Sequence, residues 1–317
     1  MEKFLSCDWG TSSFRLRLVN AHTAHVVRGE KNQKGIAAIY TLWKQANANI
    51  ETRLSFYLSV INEAISEFEN KLGISLDDVP LVISGMASAS IGMMELPYAM
   101  LPFPVDGSGP VVQIINRNEE IARPIYIVSG ARSENDVMRG EETQLVGAIQ
   151  SPSREKQLFI FPGTHSKHVT VENNQAVSIK TYMTGEIFEL LAEKSVLAHS
   201  IEEATGLEHT SNQNAFEKGV RHSMEHDLLH HAFLVRTNDL FSLATKQENH
   251  YYLSGLLIGS ELNRLNNSDY PIITLVSDKK LHELYAIALK IKGFDNVQYY
   301  DAAEALVRGQ LLILHAS

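Results

Sequence analysis

Apolar and polar positions alternate from the start of the chain. Phe4 to Cys7 is a short apolar run, and Phe14, Arg15, Leu16, Arg17 and Leu18 alternate with the period of a half-buried strand. His25 to Arg28 reads as a third strand, with NAHTA as the turn before it. Phe56, Val60, Ile61, Ala64, Ile65 and Phe68 then recur at helical spacing, and Gly73 is placed to end that helix. VPLVISG reads as a short buried strand, and LPYAMLPFPVDGSGP, rich in Pro and Gly, as an irregular loop able to line a cleft. VVQII and PIYIVSG are two more strands, and DVMRGEETQLVGAIQ is a helix with an acidic first turn. Strand patterns return in QLFIFPGTHSKHVTVENNQAVSIK, a long helical region follows, and PIITLVS leads into the helix KKLHELYAIALKIKG.

The succession predicts an α/β protein. Its 317 residues suit two domains at about 150 residues each, and the short polar stretch SPSREKQ, with Pro152, divides 1–150 from 151–317. Hydrophobic content of 44% supports a real core, while a formal charge of -9 argues against a general nucleic-acid or membrane-surface binder. Any anionic ligand must be met by locally placed cations. Cys7 is the single cysteine, so an intramolecular disulfide and a thiolate metal cage are excluded. Neither a leader-type apolar region nor a run near ~18 apolar residues occurs, and the cytoplasm is the expected compartment.

The first hairpin has a partner further along. WGTSSFRLRLVNAHTAHVV and PGTHSKHVTVENNQAVSIK share a Gly-Thr turn, an alternating strand, a polar turn and a returning strand. Gly163 follows Gly10 by 153 positions, as Thr164 follows Thr11 and Ser166 follows Ser13. Glycine lets backbone N–H groups approach an anion, and the Thr and Ser hydroxyls add donors suited to phosphate oxygens. Two such hairpins, one per domain, can grip a polyphosphate. Gly10, Thr11, Ser12, Gly163, Thr164 and Lys167 are the phosphate candidates. Asp8 stands where the second copy has Phe161, and one carboxylate at that place suits a largely hydrated magnesium on a nucleotide. Lys167 instead supplies a point charge.

These hairpins resemble those of the actin-like ATPase and sugar-kinase superfamily, in which two ribonuclease-H-like domains close over ATP. DWGTSSFR, SGMASAS, LPYAMLPFP, DVMRGEETQLVGA, FPGTHSKHV, TYMTGEIFELL and YYLSGLLIGSEL together resemble the 2-dehydro-3-deoxygalactonokinase family, in its order and over most of the chain. SGMASASIGMMELPY differs in lacking a Gly-Ser-Arg and a Gly-Trp, and His168 stands in place of a tryptophan. The resemblance implies ATP-dependent phosphorylation of the 6-hydroxyl of 2-dehydro-3-deoxy-D-galactonate, in galactonate catabolism, with ATP and magnesium. It implies a nucleotide cleft between the domains, the sugar-acid site on 1–150 and the adenosine side on 151–317.

Phosphoryl transfer asks for aligned phosphates, neutralised charge and an oriented alcohol. By resemblance, a carboxylate near the start of a helix before the second hairpin accepts the alcohol proton; Glu141 or Glu142 is favoured over Asp136. Adjacent helical positions point about 100° apart, so Glu141 and Glu142 cannot both face one atom. A keto-acid substrate brings a carboxylate, for which Arg15, Arg132 and Arg139 are candidates, with His165 as a hydrogen-bonding group. Thr184 is the expected N-cap of a helix whose first amides can receive an anion. Gly255 and Gly259, at i and i+4, mark either tight helix packing or a helix beside adenosine.

Three rivals stand beside this reading. His222, His226 and His230 fall at i, i+4 and i+8, and HDLLH imitates a zinc pair, although Asp227 replaces the usual glutamate base; a zinc hydrolase would carry stoichiometric metal. A non-catalytic sugar-acid sensor on the same scaffold would bind without turnover. A kinase of another keto-deoxy or aldonic acid would transfer phosphate to a different acceptor. The expected partners are a sugar acid and ATP, with a homodimer as the assembly to look for and neither nucleic acid nor membrane. No GxxxxGK[ST] or GxGxxG signature is present.

Overall fold

The alternating residues of the first hairpin sort by face. Phe14, Leu16 and Leu18 are buried while Arg15 and Arg17 are half-buried. In this computed structural model, which describes residues 1–46, 52–118, 121–203 and 206–317, the chain forms two compact units. The first comprises Met1–Arg154, Glu172–Ile179 and Ala302–Ser317, the second Glu155–Val171 and Lys180–Asp301.

The first unit begins with β1 (Lys3–Trp9), β2 (Phe14–Asn20), β3 (Val26–Asn32), α1 (Ile36–Gln45), α2 (Arg53–Leu72) and β4 (Leu81–Gly85). The short strands β5 (Ala99–Met100) and β6 (Phe103–Pro104), then β7 (Val112–Ile115), β8 (Ile125–Val128), β9 (Ala131–Arg132), β10 (Val137–Met138) and α3 (Glu141–Ala148) complete its long segment. The second part of the chain contains β11 (Gln157–Phe161), β12 (Ser166–Glu172), β13 (Gln175–Tyr182), α4 (Thr184–Lys194), α5 (Thr210–Ser223), α6 (Leu228–Leu240) and α7 (Lys246–Glu261). It ends with β14 (Ile272–Ser277), α8 (Lys279–Ile291), β15 (Val297–Asp301) and α9 (Ala302–Ala316).

In the first unit the main sheet runs β3-β2-β1-β4-β8-β7. The β1–β2–β3 meander is antiparallel, whereas β4 and β8 add in parallel. The other six-stranded sheet runs β15-β14-β11-β12-β13-β6, and its strands β13-β12-β11-β14-β15 repeat that order, with β11 antiparallel to β12 and with β14 parallel to both β11 and β15. The shared order of a hairpin meander followed by parallel strands is the ribonuclease-H-like plan, built twice. The expected α/β class and its internal repeat are borne out.

Each sheet is covered by helices. One face of the first carries Trp9, Phe14, Leu16, Ile36, Tyr57, Ile61 and Phe68, and the other packs Phe4, Val82 and Val146 with Val307 and Ile313. Trp9 meets Phe14 edge-on at 5.1 Å and Tyr57 at 5.6 Å between ring centroids, contacts worth about 0.5–1.5 kcal/mol each beyond burial. The second core joins Leu158, Ile160, Phe216, Tyr251, Leu275 and Tyr285.

Three local readings change. Residues 302–317, expected with the second half, belong to the first unit, because Gly147 of α3 and Gly309 of α9 let the two helices touch backbone to backbone: a Cβ on Gly309 would stand 1.9 Å from the Thr143 carbonyl oxygen. DVMRGEETQ is not helical throughout. Val137 and Met138 pair with Arg132 and Ala131, and Gly140, at φ 107°, breaks the strand before α3 starts at Glu141. LPYAMLPFP is more ordered than expected: Ala99 and Met100 pair in parallel with Ala131 and Arg132, and Phe103 pairs with Ala176.

Candidate active site

The tip of the first hairpin is fixed from behind. Gly10 N–H donates to the Ser13 carbonyl at 2.9 Å, closing the turn, while Ile36 and Ala37 donate from the N-terminus of α1 to the Gly10 and Thr11 carbonyls at 3.0 and 3.1 Å. Gly35 lies so close to the tip that a Cβ would fall 2.3 Å from the Thr11 oxygen, and the Trp9 indole N–H donates to the Lys34 carbonyl at 2.9 Å. The tip carbonyls are thereby occupied, and Thr11 and Ser12 are exposed. Asp8, directly across the hairpin from Arg15, accepts from its Nη1 at 2.6 Å.

The second tip is held in the same manner. Glu186 N–H, in the first turn of α4, donates to the Thr164 carbonyl at 3.0 Å, and a Cβ on Gly185 would stand 2.6 Å from the Gly163 oxygen. The repeat therefore extends beyond the strands to a glycine and a helix N-terminus, Gly35 in one unit and Gly185 in the other. Gly185 follows Gly35 by 150 positions, out of phase with the 153 that relates the tips, so this part of the repeat was not visible in the sequence. His165 Nε2 meets Glu186 Oε2 at 2.6 Å, and the largely buried Lys167 donates from Nζ to Thr181 Oγ1 at 3.0 Å.

At the start of α3 the two glutamates separate. Glu142 is fully buried; its Oε2 accepts from Gly140 N–H at 2.7 Å and its Oε1 from the Thr143 hydroxyl at 2.9 Å. Burial, reinforced by the neighbouring Glu141 charge, raises its carboxyl to about 7. Thr143 continues through Ser84 to Gln310, whose amide donates to Ser84 Oγ and to the Cys7 carbonyl. This chain anchors α3 and α9 on β1 and β4. Glu141 is half-buried and accepts from Arg139 N–H at 2.9 Å. Asp136 accepts from Val137 N–H in the strand turn ahead of the helix.

The three arginines differ as well. Arg15 is engaged by Asp8, and the exposed Arg132 donates from Nε to the Ser133 carbonyl at 3.1 Å. Arg139 donates from Nη1 to Ser88 Oγ at 2.7 Å and lies over the Tyr98 ring, 4.4 Å from guanidinium carbon to centroid. The altered SGMASAS segment thus supplies a hydroxyl to Arg139. Ser88 and Tyr98 were missed in the sequence because nothing in their spacing links them to Arg139.

Three assignments are corrected. Thr184 is not an N-cap: Met183 occupies that position, and the Thr184 hydroxyl is spent on the Glu261 carboxylate. Gly255 and Gly259 are packing residues of the α5–α7 crossing, since a Cβ on Gly255 would stand 2.1 Å from the Phe216 oxygen and one on Gly259 2.3 Å from Ser223 Oγ. His222, His226 and His230 do not share a helical face, because α5 ends at Ser223, His226 adopts φ 59°, and α6 starts at Leu228. His222 bonds the Tyr252 hydroxyl at 2.8 Å, and among the described residues no group of three potential ligands is placed to hold a metal.

A model of the family described as 2-keto-3-deoxy-galactonokinase matches residues 8–313. The chain belongs to that family. It is 30% identical to a protein of Rhizobium meliloti assigned as a 2-dehydro-3-deoxygalactonokinase, over 96% of this chain and 94% of the relative. It is 27% identical to 2-dehydro-3-deoxygalactonokinase of Escherichia coli, over 92% and 91%. A crystal structure assigned as a 2-dehydro-3-deoxygalactonokinase from Sinorhizobium meliloti superposes with a TM-score of 0.81 at 27% identity, covering 99% of this chain and 98% of that one. Membership bears out the expected kinase class and places the repeated hairpins in a carbohydrate-kinase family.

Proposed function

We propose that the protein transfers the γ-phosphoryl group of ATP to the 6-hydroxyl of 2-dehydro-3-deoxy-D-galactonate. Family membership supports the class, and the observation that carries the assignment of roles is the hairpin built twice with a carboxylate in one copy alone. Asp8 would hold magnesium through water; its partly exposed carboxylate fits that role, and the ion would neutralise phosphate charge when bound. The amides and hydroxyls of Gly10, Thr11 and Ser12 bind phosphate, as do those of Gly163 and Thr164, with Lys167 adding positive charge. His165, on the exposed second tip, adds a hydrogen bond to the substrate or phosphate.

Glu141, the glutamate of this pair with solvent access, accepts the proton of the attacking alcohol, an effect of about 100- to 10,000-fold. Glu142 shapes the site without meeting substrate. Arg139, held by Ser88 and Tyr98, binds the sugar-acid carboxylate. Among the described residues no helix is long and apolar enough to cross a membrane, which agrees with a cytoplasmic kinase acting on small molecules.

The test is ADP release with Mg-ATP against 2-keto-3-deoxygalactonate, 2-keto-3-deoxygluconate, galactonate and simple hexoses, with Asp8→Ala as control. Preference for the first compound, lost in the variant, is expected. Turnover with another acid would move the substrate within the kinase reading, and binding without turnover of any acceptor would favour a sensor.

A further inference from the structure

We infer that Glu261 is the positioning residue of the second phosphate hairpin, an inference that rests on the kinase reading above. Glu261 ends α7 and is 4% exposed, yet its two oxygens receive four side-chain donors. Ser166 Oγ and His168 Nε2 donate to Oε1 at 2.7 and 2.8 Å, the Tyr285 hydroxyl donates to Oε2 at 2.7 Å, and Thr184 Oγ1 donates to the same oxygen. The donors come from β12, α4 and α8. A buried carboxylate persists as an anion only when its lone pairs are filled, and here they are.

The positions of those donors carry the inference. Ser166 is the residue that leaves the tip 162–165, and Thr184 is the residue before Gly185, whose backbone presses on Gly163. One carboxylate therefore fixes both flanks of the tip. Burial alone would raise the Glu261 carboxyl, but the hydrogen bond and charge of His168, with Thr184 and Ser166, hold it below the usual carboxylate range. It stays an acceptor and does not serve as a proton carrier. The bonding of His168 to Glu261 also requires its Nε2 to carry the proton.

The loss of one donor is the decisive change. Thr184→Val removes a donor and leaves the other three, Thr184→Ser restores it, and Glu261→Gln turns an amide N–H₂ toward two existing donors. Mg-ADP affinity by calorimetry, and KM for ATP and for the keto acid, are measured on all three. Thr184→Val and Glu261→Gln are expected to weaken Mg-ADP about tenfold and raise KM for ATP to match, the scale of a charged hydrogen bond. KM for the keto acid stays within about twofold and Thr184→Ser behaves as the wild type. Unchanged Mg-ADP binding in Thr184→Val overturns the inference, as does a rise confined to the keto-acid KM, which would make Thr184 a direct substrate contact. If Glu261→Gln does not fold, the Val and Ser pair decides. Wild-type protein that binds Mg-ADP but transfers to no acceptor overturns the kinase reading while the binding comparison still judges Glu261; wild-type protein that binds no nucleotide overturns both.

Discussion

Arg15 donates to Asp8 at 2.6 Å across the register of the first hairpin. Both side chains are partly exposed, at 35% and 22%, so solvent screens the pair and it stabilises the fold by no more than about 1 kcal/mol. Its importance lies in the chemistry. Asp8→Asn is expected to keep a near-wild-type melting temperature while turnover at saturating ATP falls about 100-fold or more, the scale of removing one electrostatic element of a transition state. Raising magnesium should not restore it. Near-normal turnover in this variant would take Asp8 out of the reaction.

Glu142 gives the stability of the protein a pH dependence with a definite sign. Its folded carboxyl lies at about 7 against 4.5 for the free group, so the folded state binds the proton more tightly. The resulting stabilisation is complete below the unfolded value and is lost as pH rises from about 4.5 to about 7, amounting to about 3 kcal/mol at most. Denaturant unfolding of the wild type and Glu142→Gln across that window should show the difference. The wild type loses stability relative to the variant as pH rises, and parallel curves would refute the buried titration. Glu141→Gln should instead lower kcat and reduce this pH dependence without abolishing it, because burial of Glu142 remains while the reinforcing Glu141 charge is gone.

The two copies of the hairpin were legible because phosphate-binding turns and alternating strands are local patterns. The apolar stripe of α2 and its end at Gly73, φ 68°, were legible for the same reason, whereas its start at Arg53, ahead of Phe56, was not. What could not be read is decided by distant partners. The choice between Glu141 and Glu142 depends on burial: Glu142 is fully enclosed and bonded to Thr143, which is itself tied to Ser84 and, through Ser84, to Gln310 on other elements. Thr184 has the sequence of a cap, but tertiary hydrogen bonding to Glu261 claims its hydroxyl. Gly255 has the spacing of either packing or ligand approach, and only the position of Phe216 selects packing.

That selection has a measurable consequence. A methyl group on Gly255 would meet the Phe216 carbonyl oxygen at 2.1 Å, and backbone on a packed helix yields little. Gly255→Ala is expected to cost about 1–3 kcal/mol in urea unfolding, as overpacking does, with KM for ATP unchanged in the folded fraction. A stable variant with a raised KM for ATP would return Gly255 to the nucleotide site.

The broken helix at Met224–Asp227 makes a similar distinction for the histidines. Purified protein is expected to hold substoichiometric zinc, and treatment with a chelator should leave its melting temperature unchanged while abolishing ADP release until magnesium is supplied. Stoichiometric zinc that survives dialysis, with unfolding on its removal, would revive the metal site.

Arg139 is the sharpest test of substrate identity. Its guanidinium is held by Ser88 on one edge and by the Tyr98 ring on its face, so its geometry is set before a ligand arrives. Lysine keeps the charge but loses the planar fork that pairs with a carboxylate. Arg139→Lys should therefore raise KM for the keto acid about tenfold, with KM for ATP little changed, since a charge-assisted bidentate contact is the interaction removed. Ser88→Ala should move the same parameter in the same direction by less, because it loosens the guanidinium without deleting it. An increase in KM for ATP in place of the keto acid would reassign Arg139 to the phosphates, and an acceptor without a carboxylate that is phosphorylated equally well by the wild type and Arg139→Lys would remove the carboxylate from recognition.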